Sequence, residues 1–274
     1  MTGIGVFTKT FERDSAKDVL LAVKNYGFEV AHFNFASVGL EAMPEDIPPA
    51  VIQEIRSAID ETSIRLVGVS ATFNMAHPDP KVREEGIRRF KKIATVCPEL
   101  QVPLISLCSG SRNRQDKWAF HPDNETSAAW TDMVRVMEAL VMVAEQNDIY
   151  LGIEPELANI VSSPLKAFEL INEMQTDRIK IILDPANLSE KSLPDQIKSI
   201  ILSALDLLHP FLAMAHAKDR TNSGNFAPPG KGVIPFEFML NAFAERNLDI
   251  PLVAHGFSEK EATGVANYLK SINE

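Results

Sequence analysis

Cysteine is scarce in this chain of 274 residues: Cys97 and Cys108 are the only two. That is too few for a disulfide framework. Cys97 falls on an amphipathic helix pattern and Cys108 near a strand end, which suits reduced thiols and a cytoplasmic setting. Long apolar runs are missing too; none approaches the roughly 18 residues a membrane span requires. The opening MTGIGVFTKTF enters a strand pattern almost at once. It lacks the basic region, apolar stretch and small-residue cleavage site of a secretory signal, so none is expected. Positive charge is in deficit: a formal net charge of -10 argues against a phosphate-backbone binder, and no nucleic-acid partner is expected. Glycine-rich phosphate loops are lacking, since VFTKTFERD stands where G-x-G-x-x-G would follow the first strand, and no Walker-type motif occurs. No linker or composition break divides the chain, so residues 1–274 are expected to form one domain.

What is present is an ordinary globular composition, 45% hydrophobic and 23% charged, able to bury a sizeable core. Short β-rich runs alternate with helical patterns throughout. The runs are 4–8, 30–35, 65–72, 103–109, 149–155, 179–184, 212–218 and 251–255. Several are apolar on consecutive residues, as in parallel strands covered on both faces. Between them lie amphipathic helices. In one, Ser15 is placed to cap the N-terminus and Gly27 to stop the C-terminus; in another, Ile87, Phe90, Ala94 and Cys97 form one stripe. Eight β/α units in this length predict a single (β/α)8 TIM barrel, with a doubly wound open sheet as the alternative. The two longest loops follow the third and fourth strands, at 73–80 and 110–126. A barrel builds its site from loops at that end of its strands.

The last four strands end in GIEPE, IILDP, AMAHAKD and LVAHGF. They deliver Glu154, Asp184, His216 and His255 to one rim. Each residue alone has a structural role open to it: an acid at such a junction can cap the next helix, and a histidine can serve as a hydrogen-bonding residue. Together, two carboxylates and two imidazoles on one rim would repel or stay poorly solvated without a cation between them. A divalent metal ion is therefore expected. Mixed N/O ligation suits Mn²⁺, Zn²⁺, Fe²⁺ or Co²⁺, with Mg²⁺ also admitted.

The chain resembles the xylose-isomerase-like TIM-barrel superfamily of sugar isomerases and epimerases. The resemblance is carried by IEP at 153–155, LDPAN at 183–187, HAKD at 216–219 and PPGKG at 228–232. In the sugar-epimerase members the metal is held by Glu, Asp, His and Glu at the ends of strands five to eight. The first three carry over to Glu154, Asp184 and His216. At the fourth position this chain departs, with His255 where the family has glutamate. Those epimerases pass a proton between two glutamates on opposite faces of the substrate, and a coordinating imidazole does not readily replace the second carboxylate. The resemblance thus implies a metal-dependent isomerase or epimerase of a small keto-sugar or other α-hydroxycarbonyl compound. Proton transfer would run through an enediolate, with Glu154 as base and Lys218 as an electrostatic helper. Two alternatives stand beside it: a dehydratase of the inosose or dehydroshikimate type, and a non-catalytic sugar-binding barrel. A homo-oligomer is also in keeping with such relatives.

Other residues are expected to complete the pocket. Ser70 and Thr72 share a strand face, and Asn74 and His77 follow in the loop; hydroxyls and amides suit a polyhydroxylated ligand, although Asn74 and His77 could equally shape a turn. Trp118 can stack on a sugar ring, flanked by Arg112, Arg114 and Lys117 and followed by His121 and Asn124. Glu156 is expected at the pocket wall, either against substrate or in a salt bridge to Lys218. Lys231, in the PPGKG loop, is expected to close over the ligand, and His32 and Asn34 to complete the wall.

Overall fold

The computed structural model describes residues 3–191 and 193–273. Among the described residues ten strands are formed: β1 (Ile4–Phe7), β2 (Val30–Phe33), β3 (Arg65–Ser70), β4 (Leu104–Leu107), β5 (Tyr150–Ile153), β6 (Ile179–Leu183), β7 (Leu212–Ala217), β8 (Asp219–Arg220), β9 (Phe226–Ala227) and β10 (Leu252–Ala254). Eight of them close into a parallel barrel in the order β1-β10-β7-β6-β5-β4-β3-β2. This is the (β/α)8 TIM barrel that the alternating pattern predicts. Helices α1 (Ala16–Asn25), α2 (Pro49–Thr62), α3 (Pro80–Val96), α4 (Ser127–Gln146), α5 (Pro164–Met174), α6 (Pro185–Leu188), α7 (Pro194–Leu208), α8 (Phe236–Glu245) and α9 (Ala262–Ser271) follow in chain order.

Local chemistry sets the helix ends. The Ser15 hydroxyl accepts the Asp18 N–H at the start of α1, Thr126 caps α4, and Pro80, Pro164 and Pro194 open their helices where no N–H is needed. Gly27, at φ 91°, turns the chain out of α1 into β2.

Two apolar layers result. The larger lies between strands and helices and includes Ile93, Met137, Ile171 and Leu205. The smaller fills the barrel interior with Val30, Val67, Leu104, Ile182, Met214 and Val253. Cys97 and Cys108 are buried and unpaired, and burial pushes both thiols up to about 12. Neither is activated for chemistry. Among the described residues no helix is long and apolar enough to cross a membrane.

One element has no counterpart in the sequence pattern. Beyond β7 the chain forms an antiparallel hairpin, β8 with β9, before reaching α8. A two-residue ladder is too short to leave a periodic signal.

Candidate metal centre

Strand alternation builds the site. Successive inward side chains are two residues apart, so on three strands an inward residue of the apolar barrel layer has a partner two positions on, at the C-terminal rim. Met214 leads to His216, Ile182 to Asp184 and Val253 to His255. Gly152 leads in the same way to Glu154. A Cβ at Gly152 would stand 2.9 Å from the Ile182 side chain, so glycine lets β5 approach β6 closely beneath the site.

The four side chains offer ligand atoms that all lie within 4.8 Å of one another. Asp184 is fully buried and does two jobs. Its Oδ1 accepts the Ala186 N–H at 2.9 Å, capping α6, while Oδ2 lies 3.3 Å from Lys218 Nζ and 3.4 Å from His255 Nε2. The capping role and the rim role are thus filled by different oxygens of one carboxylate. Glu154 Oε1 accepts from Asn187 Nδ2 at 2.6 Å and lies 3.3 Å from His216 Nδ1.

The donor atoms fit a cation. Asp184 Oδ2, both ring nitrogens of His216 and His255 Nε2 are buried without a hydrogen-bond partner. Buried polar atoms clustered without hydrogen bonds are costly unless an ion takes up their lone pairs. Burial lowers the His255 imidazole, and the charge of His216 adds to this against the pull of Asp184. The result favours the neutral ring, which is the form that ligates. Burial by itself would raise the Asp184 carboxyl, but Lys218 and then His255 outweigh it and hold the group below the usual carboxylate range. Two carboxylates and two imidazoles are the donor set of a borderline divalent ion.

Above this cluster opens a cavity of about 450 Å³. His32, Ser70, Thr72 and Ser106 line it from the side of β2 to β4, and Glu156, Asn187 and Lys218 from the side of β5 to β7. Trp118, 42% exposed, and Phe226, 54% exposed, stand at its mouth. Burial, reinforced by the charge of Glu154 and opposed by Lys218, pushes Glu156 up to about 7. Burial, then His216 and His255, pushes His32 well below the usual imidazole range.

Lys218 shares the inward face with His216, as their spacing predicts, but its partners differ from the salt bridge to Glu156 raised above. Its ammonium donates to Asn187 Oδ1, lies against Asp184, and sits 4.6 Å from the centre of the Phe226 ring. Asp184 is the fully buried carboxylate, and its Oδ2, unlike its Oδ1, has no hydrogen bond of its own.

Several sequence-expected pocket residues, His77, Arg114 and Asn124 among them, do not line this cavity. Asn74 spends its amide on backbone: Nδ2 donates to Ser111 O at 2.8 Å and Oδ1 accepts from Ser111 N at 2.9 Å. It is a loop staple and does not line the cavity. His121 caps a short turn by accepting the Asp123 N–H at 3.2 Å, and it lines an outer groove with Arg112 and Asp132. Arg112 is itself paired with Asp132 at 2.8 Å. Lys231 is exposed beside an outer hollow with Lys260 and Tyr268. Its loop is pinned: the buried Asp219 carboxylate accepts backbone N–H groups from Gly230 at 3.0 Å, Gly232 at 2.8 Å, Ile234 at 2.9 Å and Arg220 at 2.8 Å. Asn187 and Phe226 were not singled out by the sequence. LDPAN places Asn187 one helical step after Asp184, a signal open to that reading; the exposed Phe226 left none.

Comparison with known proteins agrees with this fold. The profile of the xylose isomerase-like TIM barrel family matches residues 20–273, and the chain belongs to that family. No curated protein matches. Among solved structures, a 3-keto-D-glucoside 4-epimerase from E. coli is similar at 16% identity and a TM-score of 0.78, covering 99% of this chain and 100% of that one. A probable 3-DHS dehydratase of petrobactin synthesis from Bacillus anthracis is 14% identical at a TM-score of 0.76, with 99% and 98% covered. A xylose isomerase-like TIM barrel protein from Mycobacterium smegmatis, in complex with magnesium, is 13% identical at a TM-score of 0.73, with 100% and 97% covered. At these identities the likeness is one of fold.

Proposed function

We propose that this protein is a divalent-metal-dependent isomerase or epimerase of a small keto-sugar or related α-hydroxycarbonyl compound. The observation that carries the reading is the convergence of Glu154, Asp184, His216 and His255, with buried unpaired donor atoms, at the floor of a cavity open to solvent. Those four residues would hold the ion. When bound, a divalent cation draws electron density from carbonyl and hydroxyl oxygens and so acidifies the C–H between them.

The protein's own groups supply the rest. Asn187 fixes Glu154 through Oε1, which leaves Oε2 without a hydrogen-bond partner among the described residues and free to take a proton from carbon. The Lys218 ammonium, held by Asn187 and Asp184, presents positive charge where oxygen becomes negative. Trp118 and Phe226 at the mouth give a sugar apolar faces to rest on.

A second reading is loss of water from a similar substrate. It needs one base and one proton donor, and here Glu154 and the buried Lys218 ammonium are both bound by Asn187, while the resemblance puts His255 where the epimerases have their second glutamate.

The test is a mass-resolved screen of keto-sugars and cyclitols with Mn²⁺-loaded protein in deuterated water. An isomer carrying solvent deuterium supports the first reading, and a product lighter by one water supports the second. Binding without turnover by any compound would leave a sugar-binding barrel and overturn both. Glu154→Gln is expected to slow deuterium incorporation by about 10²–10⁴-fold. Incorporation at the wild-type rate would remove Glu154 from the chemistry.

A further inference from the structure

His32 is a buried cavity-lining residue with one ring nitrogen anchored and the other free. Its side chain is 2% exposed. Nε2 lies 2.8 Å from Ser106 Oγ, whereas Nδ1 is buried with no hydrogen-bond partner. Native proteins leave few buried polar atoms unpaired, and those left next to a cavity mark where a ligand completes the bonding.

The backbone is shaped for this placement. The β2–β3 pairing shifts register between Ala31 and His32, and such irregularities re-aim side chains beside functional sites. Across the ladder His32 faces Gly68, where a Cβ would stand 3.4 Å from the imidazole and 3.0 Å from Met214. Glycine there leaves the ring its seat. Phe7 covers one side with ring centroids 4.8 Å apart, and His216 follows at 5.4 Å. β2 stands four places from β6 in either direction around the eight-strand ring, so His32 approaches the cavity from the wall opposite Asp184.

The Ser106 hydroxyl favours one tautomer of His32. Among the described residues His32 is the one hydrogen-bond partner of Ser106 Oγ. Assigning the hydroxyl hydrogen to Nε2 satisfies both groups and puts the ring proton on Nδ1.

We propose that His32, as the Nδ1–H tautomer, donates a hydrogen bond to the carbonyl oxygen of the bound substrate and is not a metal ligand. The identity of that acceptor rests on the isomerase reading; the tautomer does not. A neutral imidazole N–H polarises a carbonyl without surrendering its proton, and its fixed position selects which carbon of a ketose lies over Glu154.

Two measurements test this. The first is ¹H–¹⁵N correlation spectroscopy of histidine-labelled, Zn²⁺-loaded protein, with the His32 signals assigned by their absence in His32→Asn. Protonated Nδ1 with bare Nε2, unmoved by zinc, is expected. The reverse tautomer, or a ring shifted directly by zinc, overturns the proposal. The second compares two substitutions on the substrate the screen returns. Asparagine places an amide nitrogen near Nδ1, and glutamine places one near Nε2. His32→Gln should lose about 10²-fold in kcat/KM, chiefly in kcat, while His32→Asn stays within about tenfold of wild type and both bind the metal unchanged. Wild-type activity in His32→Gln, or loss of metal in both variants, overturns it. If the screen returns no substrate the isomerase reading fails, and the spectrum still decides whether His32 is a donor.

Discussion

Two carboxylates two residues apart share the cavity, yet only Glu154 receives a hydrogen bond from Asn187. Glu156 is pushed up to about 7 by burial and by Glu154, from an ordinary 4.5. The folded state therefore holds a proton that the unfolded chain has released between those values. That stabilising contribution is complete below about 4.5 and is lost as pH rises through about 7. Glu156→Gln, which stays neutral, should leave the melting temperature of chelator-treated protein little changed at pH 4.5 and raise it by several degrees at pH 8, by scanning calorimetry. Equal melting at pH 8 would show that the carboxyl is not strained. At this scale the sequence reads well where backbone period alone fixes direction, as for Glu154, Asp184, His216 and His255. It reads poorly for Asn74, which the loop after β4 claims, for His121, which caps its own turn, and for Lys231, whose loop Asp219 pins. His32 lay between these cases: its strand was legible, but the register shift that aims it was not.

Among the elements, α3 carries a constraint that helix propensity would misjudge. Gly86 lies mid-helix, where alanine ordinarily stabilises by up to about 1 kcal/mol. A Cβ at this position would run into the ring of Phe73, which packs directly on Gly86 from the loop after β3. Gly86→Ala is therefore expected to destabilise by about 1–3 kcal/mol in urea titration, reversing the sign that propensity predicts. A stabilised variant would mean that Phe73 moves aside freely. The eight barrel strands and the helices between them were readable because apolar run and amphipathic stripe have different periods. The β8–β9 hairpin was not, since strands of two residues are too short for any period to repeat.

The whole molecule gathers its candidate ligands from β5, β6, β7 and β10, so an ion there would tie together half of the closed barrel. Binding to the folded state alone at about 100 times the dissociation constant adds roughly 2.7 kcal/mol. For a chain of this size that corresponds to a rise of about 5 °C or more in melting temperature, reversed by chelator and absent in His216→Ala. An unmoved transition with Mn²⁺, Zn²⁺, Co²⁺, Fe²⁺ and Mg²⁺ alike would argue against a metal centre. The Asp219 carboxylate has a consequence at the same scale. By gripping the chain at Arg220 and again at Gly230, Gly232 and Ile234, it makes the intervening segment leave and rejoin the rim at a single rivet. What lies between, including Phe226 at the doorway, can then be lengthened or rewritten while the floor stays in register. Aperture and chemistry become separately adjustable parts of one scaffold.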